Sequence, residues 1–133
     1  MQKAPYVLVF LAMCLIYVPR MFVAQAQAKQ PEGYDNAHPR DQQSRLSDFG
    51  KRANGAHANG FEAFMMFSAG VLGSVLGKVD PRMIVGLGSA FLVFRCIYIA
   101  LYLGNKPTLR SSVWTLGFLA TCALLLAPAF IGG

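Results

Sequence analysis

The chain has 133 residues, of which 55% are hydrophobic and 14% are charged, and its mean hydropathy is +0.44. The length suits a single domain, but the composition is too apolar for a water-soluble domain of that size. A net charge of +6 would fit a nucleic-acid partner if the basic residues formed one cluster. They lie instead between and beside apolar runs, as in membrane proteins, so we predict membrane lipids and no nucleic acid as partners.

Four apolar runs are long enough to cross a bilayer core of about 30 Å, which needs roughly 20 residues of helix. We therefore predict one all-α integral membrane domain over residues 1–133, folded as a four-helix bundle. Asp80-Pro81 and Asn105-Lys106-Pro107 mark tight turns between the last three spans, and polar residues 29–46 predict a solvent-exposed loop. The predicted spans are, in order, about 4–28, 47–77, 83–104 and 109–131.

The basic residues predict the orientation of the bundle. The first and third connections lie on the same face with eight Lys and Arg residues, and the opposite face has three. By the positive-inside tendency, loop 29–46 is expected in the cytoplasm and both termini on the opposite side. Lys3, the apolar run and Ala24-Gln25-Ala26 also fit a secretory signal peptide, but Arg20 interrupts that pattern.

The three cysteines, Cys14, Cys96 and Cys122, each lie inside an apolar run without C-x-x-C spacing. We predict that they are buried small hydrophobic residues with no metal or redox role.

Two charged residues, Glu62 and Arg95, fall within predicted spans. A charge at the bilayer centre costs about 2.5 to 3.5 kcal/mol on insertion scales, so such residues are the first candidates for function. The alternative is that the two side chains pair with each other and only lock the second span to the third.

Helical spacing places further polar residues beside these two charges. On the second span Arg52 and Asn59 lie within about 80° of Glu62 at 100° per residue, whereas His57 points away. On the third span Tyr98 and Tyr102 share a face with Arg95, and on the fourth Arg110 and Trp114 are one turn apart. Side chains at this spacing also occur in ordinary packing, but inside a bilayer polar groups need partners.

Several motifs in order resemble the family of membrane-associated proteins in eicosanoid and glutathione metabolism (MAPEG), over nearly the whole chain. Residues 52–62 are similar to the helix motif R-A-x-x-A-H-x-N-x-x-E, in its bacterial form, and residues 34–40 resemble the loop before it. Phe94-Arg95 and Tyr102-Leu-Gly104, followed by Arg110 and Ser112-Val113, resemble the third and fourth helices of synthases in that family.

The resemblance implies a homotrimer of four-helix subunits in the bacterial inner membrane, with glutathione bound between neighbouring subunits on the cytoplasmic side. It also implies a lipophilic second substrate that enters from the lipid. The residues that match glutathione contacts are Asn59, Glu62, Arg95 and Tyr102, and Arg110 matches the catalytic arginine near the thiol. Arg52 and Tyr98 join the candidate binding residues because they share the same stripes.

This sequence departs from the family pattern at one important position. The glutathione-using synthases carry an arginine seven residues before the glutamate, and that position is Gly55 here. Arg52 lies one turn earlier and has a side chain long enough to substitute. Glutathione has two carboxylates and one ammonium, and three arginines with Glu62 have the complementary charges. Arg110 would lower the pKa of the thiol, although it also fits an interfacial anchor that reaches lipid headgroups.

Two functions from different classes follow. One is a glutathione-dependent transferase or peroxidase that acts on lipophilic electrophiles. The other is a non-catalytic protein of the same fold that binds a lipid, a quinone or a partner protein, which Gly55 favours. A small multidrug transporter is a weaker third, since the first span has no acidic residue. The small-residue spacing Gly73-x-x-x-Gly77 predicts close helix packing, either between subunits or within one bundle.

Overall fold

The computed structural model describes residues 3–133, and all of its regular elements are helices. Four of the five helices are long and apolar enough to span a membrane, which confirms the predicted four-span, all-helical architecture. The fifth, α2, is a short helix in the loop after the first span. The helices are α1 (Ala4–Ala28), α2 (Pro39–Ser44), α3 (Asp48–Leu76), α4 (Pro81–Leu103) and α5 (Pro107–Ile131).

The turns after α3 and α4 have the same construction. In each, the second residue after the helix, Lys78 or Asn105, adopts φ of 55°, the left-handed conformation that ends a helix. The next amide then bonds back five residues, from Val79 to Ser74 at 3.0 Å and from Lys106 to Leu101 at 2.9 Å. A proline begins the following helix within two or three residues, so α3, α4 and α5 form antiparallel hairpins.

Helices α3 and α4 form the centre of the bundle, since each packs against the other and against both α1 and α5. Their main contact is the stack of the Phe67 and Phe91 rings, whose centroids are 4.0 Å apart at 6°. Both rings are almost fully buried. This central pair fixes the facing sides of α3 and α4, on which the polar stripes also lie.

Side chains of α3 contact backbone carbonyls of α1 and α5, two helices that each contain an internal proline. Pro128 lacks the amide hydrogen that would bond the Leu124 carbonyl, and the Ser74 hydroxyl donates to that carbonyl at 2.7 Å. Near Pro19 in α1, His57 Nδ1 lies 2.8 Å from the Ile16 carbonyl oxygen. Ser74 therefore satisfies the carbonyl that Pro128 leaves without a donor in α5, as a bilayer requires. Pro19 frees the Leu15 carbonyl, which is not the one that His57 contacts.

The connection from α1 to α3 contains a short helix and is held by two fully buried glutamines, features that the prediction of a solvent-exposed loop did not include. Gln27 Nε2 donates to Gln42 Oε1 at 3.1 Å, and Gln42 Nε2 donates to the Gly33 carbonyl at 2.6 Å. Arg20 donates to Gln27 Oε1 at 2.9 Å. This network gives Arg20, the charged residue inside the first span, a hydrogen-bond acceptor, and it holds α2 against the bundle.

In the same connection, the Asp35 carboxylate accepts hydrogen bonds from the backbone amides of His38 at 3.0 Å and Ala37 at 2.8 Å. These bonds, the one from His38 first, hold the pKa of Asp35 below its usual value of 3.8 because they favour the charged form. The side chain is about a third exposed, at 33%. Asp35 therefore ties down the turn that leads into α2.

The predicted burial of the cysteines is wrong, because Cys14 and Cys96 are exposed on the outside of the bundle and Cys122 is half-buried. The physical reason is that a membrane-spanning helix is apolar on all sides, so an apolar run does not show which residues face inward.

Candidate functional site

Six of the predicted site residues form one continuous line of contacts across α3, α4 and the start of α5. At one end, Asn59 Nδ2 donates to Glu62 Oε2 at 3.1 Å, and Arg95 Nη1 donates to Asn59 Oδ1 at 2.9 Å. Asn59 thus uses both ends of its amide, one toward the carboxylate and one toward the guanidinium. Arg95 itself is buried, with 6% of its surface exposed.

The line continues through two tyrosines. The Arg95 guanidinium lies over the Tyr98 ring at 4.3 Å from its centroid, and the Tyr98 ring meets the Tyr102 ring edge-on at 5.6 Å. Arg110 covers the Tyr102 ring at 4.2 Å. Stacking on an aromatic face stabilises each guanidinium. The N–H donors lie in the plane of the guanidinium and stay available for hydrogen bonds.

Glu62 and Arg95 do not form the direct ion pair that the alternative reading of these charges expected. Within residues 3–133, ion pairs within 4.0 Å occur only in the connection between α1 and α3, namely those of Asp35 with His38 and of Arg45 with Glu32 and Asp41. Asn59 stands between the two charges instead. Sharing a helical stripe places the residues near each other, but the short Asn59 side chain takes the intervening space.

Tyr102 fills the space beside Gly55, the position at which the family's glutathione-using synthases carry an arginine. A Cβ atom built on Gly55 would overlap the Tyr102 hydroxyl oxygen and lie 3.0 Å from Tyr102 Cζ. No larger side chain fits at position 55 unless Tyr102 moves. The phenol of Tyr102, itself one of the residues that match the family, takes the space in which a side chain at position 55 would begin.

Arg52 does not join the line of six. Its Nε donates to the Leu103 carbonyl at 3.3 Å, one of the last carbonyls of α4, and its guanidinium lies 5.9 Å from the Phe49 ring centroid. The side chain thus ties the start of α3 to the end of α4. It lies at the same end of the bundle as Arg110, but the proposed substitution of Arg52 for the family arginine would require it to leave this contact.

A cavity of about 210 Å³ opens beside the line, between α3, α4 and α5. It is lined by Asn59, Tyr98, Arg110, Ser111 and Trp114. Next to it lies a narrow apolar cleft, which shares Tyr98 and Trp114 and continues along the Phe91 and Phe118 rings. A polar space and an apolar cleft therefore meet at the same two aromatic residues.

Sequence reasoning missed Ser111. Helical spacing could have found it, because at 100° per residue Ser111 lies about 60° from Trp114, whereas Ser112 lies about 160° away. The structure places Ser111 at the cavity.

The charged residues at this end of the bundle lack oppositely charged partners. Arg52, Arg95 and Arg110 have no carboxylate within 4.0 Å in residues 3–133, and Glu62, which is exposed, has no cation within that distance. An unpaired cation at bilayer depth is costly, so a bound anion would be stabilised here.

Comparison with known families gives one result, a match of the MAPEG family model to residues 4–130. The chain belongs to the MAPEG family. Comparison with the curated proteins gives no match, and neither does comparison with the solved structures. For this MAPEG protein, family membership fits glutathione chemistry and non-catalytic roles equally, so the choice between them depends on the residues around the cavity.

Proposed function

We propose that this MAPEG protein is a membrane-embedded, glutathione-dependent transferase or peroxidase that acts on lipophilic electrophiles. The observation that carries the proposal is the line of contacts beside the cavity, in which Glu62, Arg95 and Arg110 have no oppositely charged partner within 4.0 Å in residues 3–133. Of these three residues, only Arg110 lines the cavity itself. The two carboxylates of glutathione would lie toward the guanidinium groups and its ammonium toward Glu62. The lipophilic substrate would come from the lipid, because the adjoining apolar cleft, of only about 20 Å³, is too small to hold it.

In this proposal Arg110 supports the chemical step. A free thiol with a pKa of about 8.5 is only about 3% ionised at pH 7, and a neighbouring guanidinium favours the thiolate. Arg110 is held over Tyr102 and lines the cavity, so its guanidinium would be a neighbour of a group bound there. The thiolate sulfur would attack the electrophile and form the new bond, while the leaving group departs with the bonding electron pair.

A binding isotherm on the detergent-solubilised protein tests the proposal. We expect saturable glutathione binding in the millimolar range or below. We also expect Arg110→Gln to reduce the thiolate absorbance of bound glutathione, whereas Lys106→Gln, an equal charge change one turn away on the exposed end of α5, leaves it unchanged. Absence of saturable binding at millimolar glutathione would exclude the enzyme.

The contact between Gly55 and Tyr102 favours a second candidate, a non-catalytic protein that binds a lipid, a quinone or a partner protein. A protein that melts cooperatively but neither binds glutathione nor consumes it with an aryl halide would support this candidate.

We further propose that the protein is a homotrimer. Gly70 and Gly77 face Leu124 and Pro128 of α5, so part of the small-residue surface serves the bundle itself. A Cβ on Gly73, in contrast, would meet no atom within 4 Å, which leaves this position open to another subunit. Gly73→Leu should reduce the trimer fraction in native mass spectrometry, while Gly86→Leu, at a similarly open position on α4, should not.

For the membrane itself, we propose the bacterial inner membrane, with loop 29–46 on the cytoplasmic side and both termini opposite. The support is the excess of basic residues at the loop end of the bundle. A cysteine-accessibility experiment at Asp41 and at Gly133, with an impermeant reagent on intact cells, should label only the terminal position.

A further inference from the structure

A groove of about 750 Å³ lies at the loop end of the bundle, outside the site described above. It runs between the last turns of α1 and the first turn of α3, with residues of the connection along its upper edge. No residue of the proposed glutathione site lines it. Its two edges differ in chemistry, and this difference identifies the ligand.

The lower edge is apolar. Phe22 and Ala26 are one turn apart on α1, and the Phe49 ring of α3 packs edge-on against Phe22 with centroids 6.0 Å apart. Phe49 remains 39% exposed. A hydrated inorganic ion gains nothing from such a surface, whereas the glycerol and upper acyl groups of a lipid do.

The upper edge carries a free cation. Lys29, three residues beyond Ala26, is exposed and has no carboxylate within 4.0 Å in residues 3–133. Arg45, the other cation of the groove, is already held by Glu32 at 3.5 Å and Asp41 at 3.3 Å. Lys29 is therefore the residue available to a phosphate group.

The groove also contains a polar group that lacks a donor. Gln30 Nε2 donates to the Arg45 carbonyl at 3.1 Å, and this bond fixes the amide. Its Oε1 is buried and accepts no hydrogen bond in residues 3–133. A buried acceptor without a donor is unfavourable, and a hydroxyl group entering the groove would relieve it after a small movement of the neighbouring side chains.

We propose that this groove binds the headgroup of an anionic glycerophospholipid, with the phosphate at Lys29, a headgroup hydroxyl at Gln30 and the glycerol backbone on Phe22 and Phe49. Phosphatidylglycerol has all three groups. Basic pockets between helices near the membrane surface are suited to such headgroups because Coulomb attraction adds to acyl burial. This inference does not depend on the proposed enzymatic function.

The test uses the full-length protein in a neutral detergent, titrated with phosphatidylglycerol and with phosphatidylcholine of identical acyl chains. Native mass spectrometry counts the bound lipids. We expect a preference for phosphatidylglycerol, and Lys29→Gln should weaken its binding about five-fold. Lys51→Gln is the matched control, since Lys51 is an equally exposed lysine on the first turn of α3 outside the groove.

Four results would overturn the proposal. The first is equal binding of the two lipids, and the second is an equal loss in the Lys29 and Lys51 variants. The third is displacement of the lipid by millimolar inorganic phosphate, which would indicate a site for soluble anions. The fourth is a lipid-free assembly with a second copy of the chain cross-linked into the groove. Phosphatidic acid, which lacks the headgroup hydroxyls, should bind more weakly than phosphatidylglycerol, and equal binding would remove the role given to Gln30.

Discussion

The contact between Ser74 and α5 provides the sharpest test of how this bundle is held together. Ser74 and Leu124 are both 0% exposed, so water cannot replace the hydroxyl that donates to the Leu124 carbonyl. Ser74→Ala leaves that carbonyl without a donor, because Pro128 has no amide hydrogen. An unsatisfied buried group costs about 1 to 3 kcal/mol, and membrane hydrogen bonds fall toward the lower end of that range. We expect a loss of about 1 to 2 kcal/mol.

The assay is reversible unfolding in mixed micelles, read by far-UV circular dichroism. Pro128→Ala returns an amide hydrogen to α5 and keeps the Cβ atom that packs near Gly77, so in that background Ser74→Ala should cost at least about 0.5 kcal/mol less. Ser68→Ala is the matched control, because its hydroxyl bonds only carbonyls of its own helix, at 2.7 and 3.1 Å. Equal costs for the two serine variants, or additivity with Pro128→Ala, would refute the reasoning.

Three further predictions concern the site and the loop. Gly55→Ala should destabilise the protein by about 1 to 3 kcal/mol through overlap with the Tyr102 hydroxyl, and Tyr102→Phe should recover part of that loss in unfolding experiments. Asn59→Leu should destabilise the protein by about 1 to 3 kcal/mol more than Glu62→Gln does, because it removes the acceptor of the hydrogen bond from the buried Arg95 guanidinium. Equal effects of the two substitutions in the same assay would contradict this. Asp35, whose pKa is lowered on folding, should contribute stability above pH 3.8 that is lost as pH falls through the folded pKa; an NMR titration giving 3.8 or higher would contradict this.

Much of the architecture was predictable because hydropathy and turn chemistry both act locally. The four spans follow from apolar length, and the turns follow from Asp80-Pro81 and Asn105-Lys106-Pro107. The predicted starts at residues 83 and 109 were two residues late, since apolar character begins there but the helices begin at Pro81 and Pro107. Proline is favoured in the first helical turn, where its missing amide hydrogen has no helical partner to lose.

The loop was not predictable on the same grounds. Gln42 lies in the polar segment 29–46, so hydropathy marks it as exposed, and Gln27 lies at the end of the first predicted span, yet both are fully buried. Their burial depends on a set of hydrogen bonds that join residues nine to fifteen positions apart, from Gly33 to Gln42 and from Gln27 to Gln42. The residue types along the sequence do not show which side chains will bond to each other over such distances. The helix α2 and the hydrogen bonds that hold it could therefore be seen only in the structure.

The arrangement within the site was predictable in part. Helical spacing placed the polar residues of each helix on one stripe, and the structure brings six of the seven candidates into one line of contacts. Spacing within a helix does not determine which residue of the neighbouring helix a side chain reaches. For that reason Asn59 was not expected between Glu62 and Arg95, and Arg52 was not expected at the Leu103 carbonyl.

The motif in residues 52–62 performs two tasks on opposite sides of α3, and this division explains its residue types. On one side Gly60 lies so close to α1 that its Cβ would be 3.3 Å from Ile16 Cα, and His57 bonds the Ile16 carbonyl. On the other side Asn59 and Glu62 face the cavity side of the bundle. Because one helix carries both sets, a change that shifts α3 against α1 also moves Asn59 relative to α4. Substitutions at His57 should therefore alter ligand binding without any contact to the ligand, and retained binding in a stable His57→Phe variant would contradict this coupling.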